Sequence, residues 1–431
     1  MNLRRRLVVS ALAAPALLAG CKVRTINYFP VKSARVRFAN FMLDSGPLDV
    51  FDGDTEVWSA VGFEGSTPYV DFDNVEKTFA VRVPDATTDL TSAKLALAGE
   101  QPYTYVAYGS LPSPQSILVP DPTTATGSGT MQIRLIDVSS GSSSIDIYIT
   151  KPDVAVDENI GPNLAGLSSG SSTVSLRFEA GPMRVRATPN GSKALVYDSG
   201  SYEFAPDTTY DMMLYAIGSA ALPQAMLIEV NATQARVPLP NTLGGVKLVN
   251  GAIDAGKVNG LSDGTEIISE VDYPGSSVYA IQTTVSHVYT FEKDATPGAA
   301  IATITRTPVS ARDGTVLITG FPGAVQAIAF DDDNRLAGPG ETRVRFLNGV
   351  ADGSTFDVYV GDARQAQALA PRTVSAYFTI VPVSATVTFR DPASGTTLVT
   401  VESVALGEGR TTTVCVVGAA GALKSVVNND R

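Results

Sequence analysis

The sequence predicts an all-β protein of four tandem β-sandwich domains that follow an N-terminal lipoprotein signal peptide. Three observations support this fold class. The 431-residue chain contains 38 glycines and 26 prolines, short β-branched runs recur at regular spacing, and one strand motif is repeated about every hundred residues. The best helical signal is residues 363–369, which we expect to form one or two polar helical turns.

The N-terminal residues resemble a bacterial lipoprotein signal peptide. Arginines at 4–6 are followed by an apolar run over 7–18, which is shorter than the ~20 residues that a membrane-spanning helix needs. Small residues then precede Cys21. We therefore expect residues 1–20 to be removed and Cys21 to carry lipid, with residues 21–34 as a tether. An uncleaved anchor helix is the alternative interpretation.

One motif opens each of four units: an aliphatic, a basic, a large apolar and any residue, then Asn or Asp. It occupies residues 36–40, 133–137, 246–250 and 344–348. The period of two predicts a strand with one buried and one solvent-exposed face, and the closing Asn or Asp is a turn former.

The repeat places sandwich units at 35–121, 131–232, 245–333 and 342–431. The segments between them are rich in Pro, Gly, Ser and Thr, which is typical of exposed connections. We therefore expect separate domains arranged like beads on a string, with a reach on the order of 130 Å.

A second motif places an aspartate between apolar residues of a strand in three units, as Asp49, Asp146 and Asp357. The third unit lacks a clean copy, although residues 256–260 stand nearby. One hypothesis is a repeated ligand or calcium contact. The favoured one is an exposed strand position, or an acid that pairs across the sheet with the basic residue of the opening motif.

A family resemblance accompanies these motifs. Residues 36–38, 44–53, 62–63 and 66–70 resemble the bacterial domain-of-unknown-function family numbered 4397. Residues 344–362 repeat the pattern and residues 273–279 match its middle part, whereas the second unit departs most, with an insertion around 151–172. The resemblance implies immunoglobulin-like sandwiches on an exported bacterial protein, and it brings no established activity or catalytic residue.

The composition indicates no enzyme. The net charge of −11 argues against a nucleic-acid partner. His287 is the only histidine, so a multi-histidine metal site is excluded, and we expect it on or near a strand surface. No nucleophile elbow or phosphate-binding loop is present. Without Cys21, Cys415 has no disulfide partner and is expected to be a small buried hydrophobe. No catalytic, cofactor-binding or metal-binding residue is predicted.

Two further patterns leave alternatives open. The acidic run at 331–334 could hold calcium and stiffen the joint between units three and four, but it does not fit the twelve-residue calcium loop. Trp58, the only tryptophan, could line a sugar-binding face, although core packing is the simpler interpretation.

These observations predict a lipid-anchored cell-envelope protein that presents tandem sandwich domains for structural or adhesive binding. Its membrane partner would be reached through the lipid, in the outer membrane if the host has two. Its other partner would be an envelope or extracellular protein or a glycan. The alternatives are a polysaccharide-active enzyme with a carboxylate pair and a scaffold subunit of an envelope complex.

Overall fold

The structure, a computed structural model, describes residues 33–73, 76–139, 143–219, 221–230 and 235–430. All regular elements within these ranges are β-strands. None of the residues described forms a helix suited to crossing a membrane. The predicted signal peptide, Cys21 and the tether up to residue 32 lie outside the described residues.

The strands fall into four groups along the chain. Unit one contains β1 (Ser33–Leu43), β2 (Leu48–Asp52), β3 (Thr55–Val61), β4 (Gly65–Ser66), β5 (Val70–Asp73), β6 (Glu76–Arg82), β7 (Thr91–Ala96), β8 (Pro102–Ser110) and β9 (Ser113–Pro120). Unit two contains β10 (Thr130–Asp137), β11 (Ile145–Thr150), β12 (Leu164–Leu167), β13 (Ser171–Ser172), β14 (Leu176–Glu179), β15 (Gly181–Pro189), β16 (Tyr197–Phe204), β17 (Thr209–Tyr215), β18 (Gln224–Glu229) and β19 (Arg236–Leu239).

The second half repeats this order. Unit three contains β20 (Leu243–Ala252), β21 (Val258–Ser262), β22 (Thr265–Val271), β23 (Gly275–Ser276), β24 (Ala280–Thr283), β25 (His287–Lys293), β26 (Ala300–Arg306), β27 (Asp313–Gly320) and β28 (Gln326–Asp332). Unit four contains β29 (Thr342–Val350), β30 (Phe356–Val360), β31 (Ala363–Leu369), β32 (Thr373–Val374), β33 (Phe378–Ile380), β34 (Val383–Arg390), β35 (Thr397–Leu406), β36 (Thr411–Gly418) and β37 (Lys424–Asn429).

Each unit is a sandwich of two sheets with the same strand order. In unit one, the first sheet runs β4-β1-β8-β9 with β5 also paired to β1, and the second runs β3-β2-β6-β7. The first strand and the strand of the closing motif run parallel, as β1 does with β8. The predicted fold class, all-β with tandem sandwiches, is confirmed.

Three details differ from the sequence prediction. Residues 363–369 form strand β31 instead of helical turns, because pairing with β30 overrides the helix propensity of its Ala, Arg, Gln and Leu residues. Strand β19 continues the sheet of unit two past residue 232, where the sequence placed the end of that unit. Strand β1 begins at Ser33, inside the predicted tether.

The largest difference is that the units pair face to face. In β1, Val36 and Phe38 enter the core of unit one, whereas Phe41 faces the other way and packs with Ile136 and Met213 of unit two. A strand that separates two hydrophobic cores is buried on both faces, which explains the almost continuous burial of β1, β8, β10 and β17. Units one and two therefore form a first pair.

Units three and four form a second pair in the same way. Val249 and Leu317 of unit three pack with Leu347 and Val417 of unit four. The backbones approach closely at Gly349, where a Cβ would lie 3.0 Å from Leu317 Cδ1. The sheets of units three and four are thus in close contact at this position.

The two pairs are stacked end to end. Unit two meets the segment after unit three through a backbone hydrogen bond from Asn334 N to Gly218 O of 2.9 Å. Unit one meets the same segment through the Arg335–Asp44 ion pair. Asn334 and Asn241, both in the predicted exposed connections, are buried. The arrangement as four beads in line is therefore wrong.

The paired arrangement makes a testable prediction. A specific protease site inserted between Ala125 and Thr126, in the connection between units one and two, should be cut without separating them. We expect the cut chain to elute as one species in native gel filtration and to separate into two fragments only in denaturant. Separate elution under native conditions would contradict the paired arrangement.

Candidate functional site

The buried face between units one and two carries a charge network. The Arg37 guanidinium donates to Asp211 Oδ2 at 2.6 Å and to Thr104 Oγ1 at 2.9 Å. Arg134 donates to Asp121 Oδ1 at 2.6 Å and to Asp211 Oδ1 at 2.9 Å. Each arginine thus reaches an aspartate of the other unit, and the exchange ties the two sheets together.

The second pair repeats this exchange. Arg345 of unit four donates to Asp332 Oδ1 of unit three at 2.5 Å, and Lys247 of unit three contacts Asp430 of unit four. Thr413 also donates to Asp430. Units one, three and four therefore carry a buried cation, a hydroxyl and an acid at the same positions, whereas Asp211 takes the place of the hydroxyl in unit two.

The sequence interpretation of the basic residues was wrong. Arg37, Arg134, Lys247 and Arg345 are at most 2 % exposed, although their alternation with apolar residues predicts a solvent-exposed face. Their partners are the aspartates of the neighbouring unit, which the motif search missed. Asp121, Asp332 and Asp430 lie at the same place near the end of units one, three and four, and this recurrence is the signal that could have found them.

The recurring aspartates of the second motif have another structural role. Asp49, Asp146 and Asp357 are buried, so the expectation of exposed positions or of pairing with the opening-motif arginines is also wrong. Asp49 Oδ1 accepts a hydrogen bond of 2.7 Å from Ala60 N, and Ala60 has a φ of 51°. Asp146 and Asp357 accept from Gly166 N and Ala368 N, which also have positive φ. The carboxylates thus hold an irregularity in the adjacent edge strand.

The third unit uses an asparagine at this position. Asn259 Oδ1 accepts a hydrogen bond of 2.7 Å from Glu270 N, where φ is 52°. The second motif is therefore present in unit three, and the sequence search missed it because Asn replaces Asp and Gly260 replaces an apolar residue.

Removal of one such acceptor should destabilise its unit. We expect Asp49→Ala to lower the free energy of unfolding by about 1–3 kcal/mol, because the Ala60 N–H loses its charged partner and the left-handed backbone its support. Chemical denaturation measures the effect. Asp71→Ala, at an exposed position of β5 in the same unit, is the control and should change stability by less than about 0.5 kcal/mol. Equal effects would contradict the assigned role.

The acidic run before unit four is engaged by arginines. Arg306 pairs with Asp331 at 2.7 Å, and Arg335 and Arg343 both pair with Asp333. Although burial opposes ionisation, hydrogen bonds from these two guanidinium groups lower the pKa of Asp333 to about 2. Within the described ranges, no cluster of three or more His, Cys, Asp or Glu side chains is suited to a metal ion. Arginine side chains thus bind the acidic run at this joint, whereas the sequence had left a bound calcium ion open as an alternative.

Three single residues that the sequence analysis considered, His287, Trp58 and Cys415, are held by contacts within the sandwiches. His287, half-buried at the start of β25, approaches Asp263 Oδ2 through Nδ1 at 2.6 Å and Thr283 through Nε2. Trp58 packs in the core of unit one, as the simpler interpretation expects. Cys415 is buried between units three and four, where burial raises its pKa to about 12.

One concave surface with converging polar groups is a cleft between the end of unit one and the start of unit four. Its volume is about 530 Å³, which lies in the range of small-ligand pockets. We call it the junction cleft. The apolar lining includes Phe41, Leu43, Pro112, Val138, Leu336 and Pro339, and the polar lining includes Asp44, Gln115, Arg335, Glu341, Arg343, Thr379 and Glu408.

The walls of the junction cleft are held by hydrogen bonds. Arg335 Nε donates to Asp333 Oδ1 at 2.6 Å, and Thr411 Oγ1 donates to Arg335 O at 3.0 Å. Gly340 N donates to Glu408 Oε1 at 2.8 Å. The cleft is therefore preformed, with charges of both signs around an apolar floor.

Comparison with known proteins identifies one family. Residues 34–148 and 342–431 match the model of the family described as Domain of unknown function (DUF4397). No curated protein matches the chain. Among solved structures, the Bacillus anthracis TIE protein aligns over 89% of this chain and 66% of that chain, with 9% identity and a TM-score of 0.16. The chain thus spans slightly less than two thirds of that structure's length, and the score is too low to support an argument.

Proposed function

From the match of residues 34–148 and 342–431 to the DUF4397 family, we propose that the chain is a lipid-anchored cell-envelope protein that presents a binding surface on a rigid stack of sandwich domains. The family description assigns no function, so the proposal depends on the packing of the units and on the N-terminal sequence. It is a binding and structural role without catalysis.

The observation that carries the proposal is the exchange of buried charges across both pair interfaces. Asp211 and Asp332 are fully or almost fully buried and accept hydrogen bonds from arginines of the neighbouring unit. A buried ion pair is strongly directional and is costly to break. Such interfaces support fixed geometry between domains, which a spacer or presenting protein needs.

The anchor and the junction cleft lie at opposite ends of unit one. Strand β1 is 11 residues long, so its two ends are separated by about 33 Å at ~3.3 Å per residue. The tether would enter at Ser33, whereas Leu43 and Asp44 at the other end line the cleft. This geometry supports a surface held away from the membrane, although its reach is about two stacked domains rather than four.

Lipidation tests the anchoring half of the proposal. Cells labelled with a palmitate analogue should incorporate label into the wild-type chain and not into Cys21→Ser, which should leave the membrane fraction. A conservative control, Cys415→Ser, should retain both the label and the membrane association. Equal label in the wild type and in Cys21→Ser would overturn the anchoring proposal.

The binding half is tested at the junction cleft. Gln115, an exposed cleft residue, is changed to Trp to fill the space, and Gln326→Trp at an exposed site of β28 is the matched control. Purified variants are compared by capture from envelope extract and by calorimetry against glycans. We expect Gln115→Trp alone to reduce binding. Unchanged binding would exclude the junction cleft as the binding site. The non-catalytic role would be overturned if the protein turned over a polysaccharide and a single Asp or Glu substitution abolished that turnover.

A further inference from the structure

The opening motif places a cation at the equivalent position of all four units, and in unit three this cation is a lysine. Arg37, Arg134 and Arg345 occupy this position in three units, and Lys247 occupies it in unit three. The Lys247 side chain is 2 % exposed and the Asp430 side chain is fully buried. This is the one site of the charge exchange where a primary amine meets a carboxyl group.

The surroundings of this contact are dry and ordered. The Lys247 Nζ atom lies 4.9 Å from the centre of the Tyr279 ring, and the adjacent core contains Val249 and Cys415. Asp430 is fixed by a hydrogen bond from its backbone N to Thr411 O of 2.8 Å. The amine and the carboxyl group are therefore held in contact away from bulk solvent.

We propose that Lys247 and Asp430 condense to an isopeptide bond that joins unit three to unit four. The reaction begins when one proton of the Lys247 ammonium group moves to the Asp430 carboxylate that it contacts, which frees the Nζ lone pair. The Nζ lone pair attacks Cγ of Asp430, an N–C bond forms, and a C–O bond breaks. The two surplus protons of the ammonium leave with that oxygen as one water molecule, so no oxidant or other reactant is required.

Two neighbouring groups fit the reaction. Thr413 Oγ1 donates to Asp430 Oδ2, which polarises the carboxyl group and would stabilise the oxygen charge of the tetrahedral intermediate. Asp332 is the second carboxylate of the cluster and interacts electrostatically with Lys247. We assign to Asp332 the transfer of a proton from Nζ to the leaving oxygen. Holding the reactants in contact supplies the large effective concentration that condensation needs.

The arginine positions cannot undergo the same reaction. A guanidinium group stays protonated in proteins and lacks a nucleophilic lone pair, so the Arg345–Asp332 and Arg37–Asp211 contacts remain ion pairs. Among the four equivalent positions, only Lys247 is therefore expected to form a cross-link.

Intact-mass spectrometry of the denatured chain tests the proposal. The protein is prepared with Cys21→Ser so that lipid does not alter its mass. We expect it to be lighter than its sequence by one water molecule, trypsin to leave the bond after Lys247 uncut, and a branched peptide to contain both residues. The full sequence mass, with normal cleavage after Lys247, would overturn the proposal.

Lys247→Arg is the matched variant, because it restores the cation found in the other three units and cannot form the amide. It should show the full sequence mass. Loss of water in this variant as well would place the reaction elsewhere and overturn the assignment. The wild-type measurement is decisive even if the variant folds poorly. An unchanged cross-linked fraction in Asp332→Asn would overturn the proton-transfer role of that residue.

Discussion

Replacement of Asp211 by alanine is expected to destabilise the first pair by about 3–5 kcal/mol, the typical effect of removing one partner from a buried ion network. Asp211 accepts from Arg37 at 2.6 Å and from Arg134 at 2.9 Å, so one substitution leaves two buried guanidinium groups without this carboxylate. Burial and the neighbouring Asp121 carboxylate raise the pKa of Asp211, and the charges of Arg134 and Arg37 oppose that rise.

Chemical denaturation followed by fluorescence measures the free energy of unfolding. Glu76→Ala is the control, because Glu76 pairs with Lys94 on the surface, where the two side chains are 55% and 67% exposed. Exposed pairs contribute up to about 1 kcal/mol, so this variant should remain close to wild type. Similar losses in both variants would mean that the charge network does not hold the first pair together.

The strands and their repeat could be predicted from the sequence because alternation and turn residues are local signals. Val36 and Phe38 alternate as a strand should, and the structure places both in the core of unit one. The pairing of units could not be predicted in the same way. Arginine at an alternating position normally indicates solvent, and its burial at position 37 requires an aspartate that is 174 residues away in the chain.

The candidate site was also hard to predict, because its residues come from distant parts of the chain. The junction cleft brings together Phe41 from β1 and Arg335 from the segment before unit four, residues that no local motif connects. The acidic run around Asp333 was recognised from the sequence, but its partners Arg335 and Arg343 were not. The chemistry of an acidic cluster depends on which cations fold against it, and composition alone left calcium open.

Asp137→Asn should stabilise unit two by about 2–3 kcal/mol at pH 7. Units one, three and four close the opening motif with asparagine, whose Nδ2 donates to two backbone carbonyls, as Asn348 does to Ser354 O and Leu369 O. Asp137 accepts from Ser139 N at 2.9 Å, but its Oδ2 is buried and has no hydrogen-bond partner among the residues that the structure describes. A carboxylate cannot make the donations that the asparagines make.

The gain in stability expected from Asp137→Asn is larger at neutral pH than at acidic pH. Burial raises the pKa of Asp137 from 3.8 to about 6, against the hydrogen bonds from Ser139. The folded state therefore holds a proton more tightly than the unfolded state. Wild-type stability falls as pH rises from about 4 through 6, and each pKa unit corresponds to about 1.4 kcal/mol. Because asparagine does not titrate, the advantage of the variant should be full at pH 7 and should disappear near pH 4.

Denaturation curves between pH 4 and pH 7.5 for wild type and Asp137→Asn measure this difference. Asn348→Asp is the reverse substitution at the equivalent position of unit four. It should destabilise that unit by more than about 2 kcal/mol at pH 7, since it buries a carboxylate and removes two donations, and it should recover stability as the pH falls. A stability difference between Asp137→Asn and wild type that stays constant with pH would show that Asp137 does not carry the raised pKa.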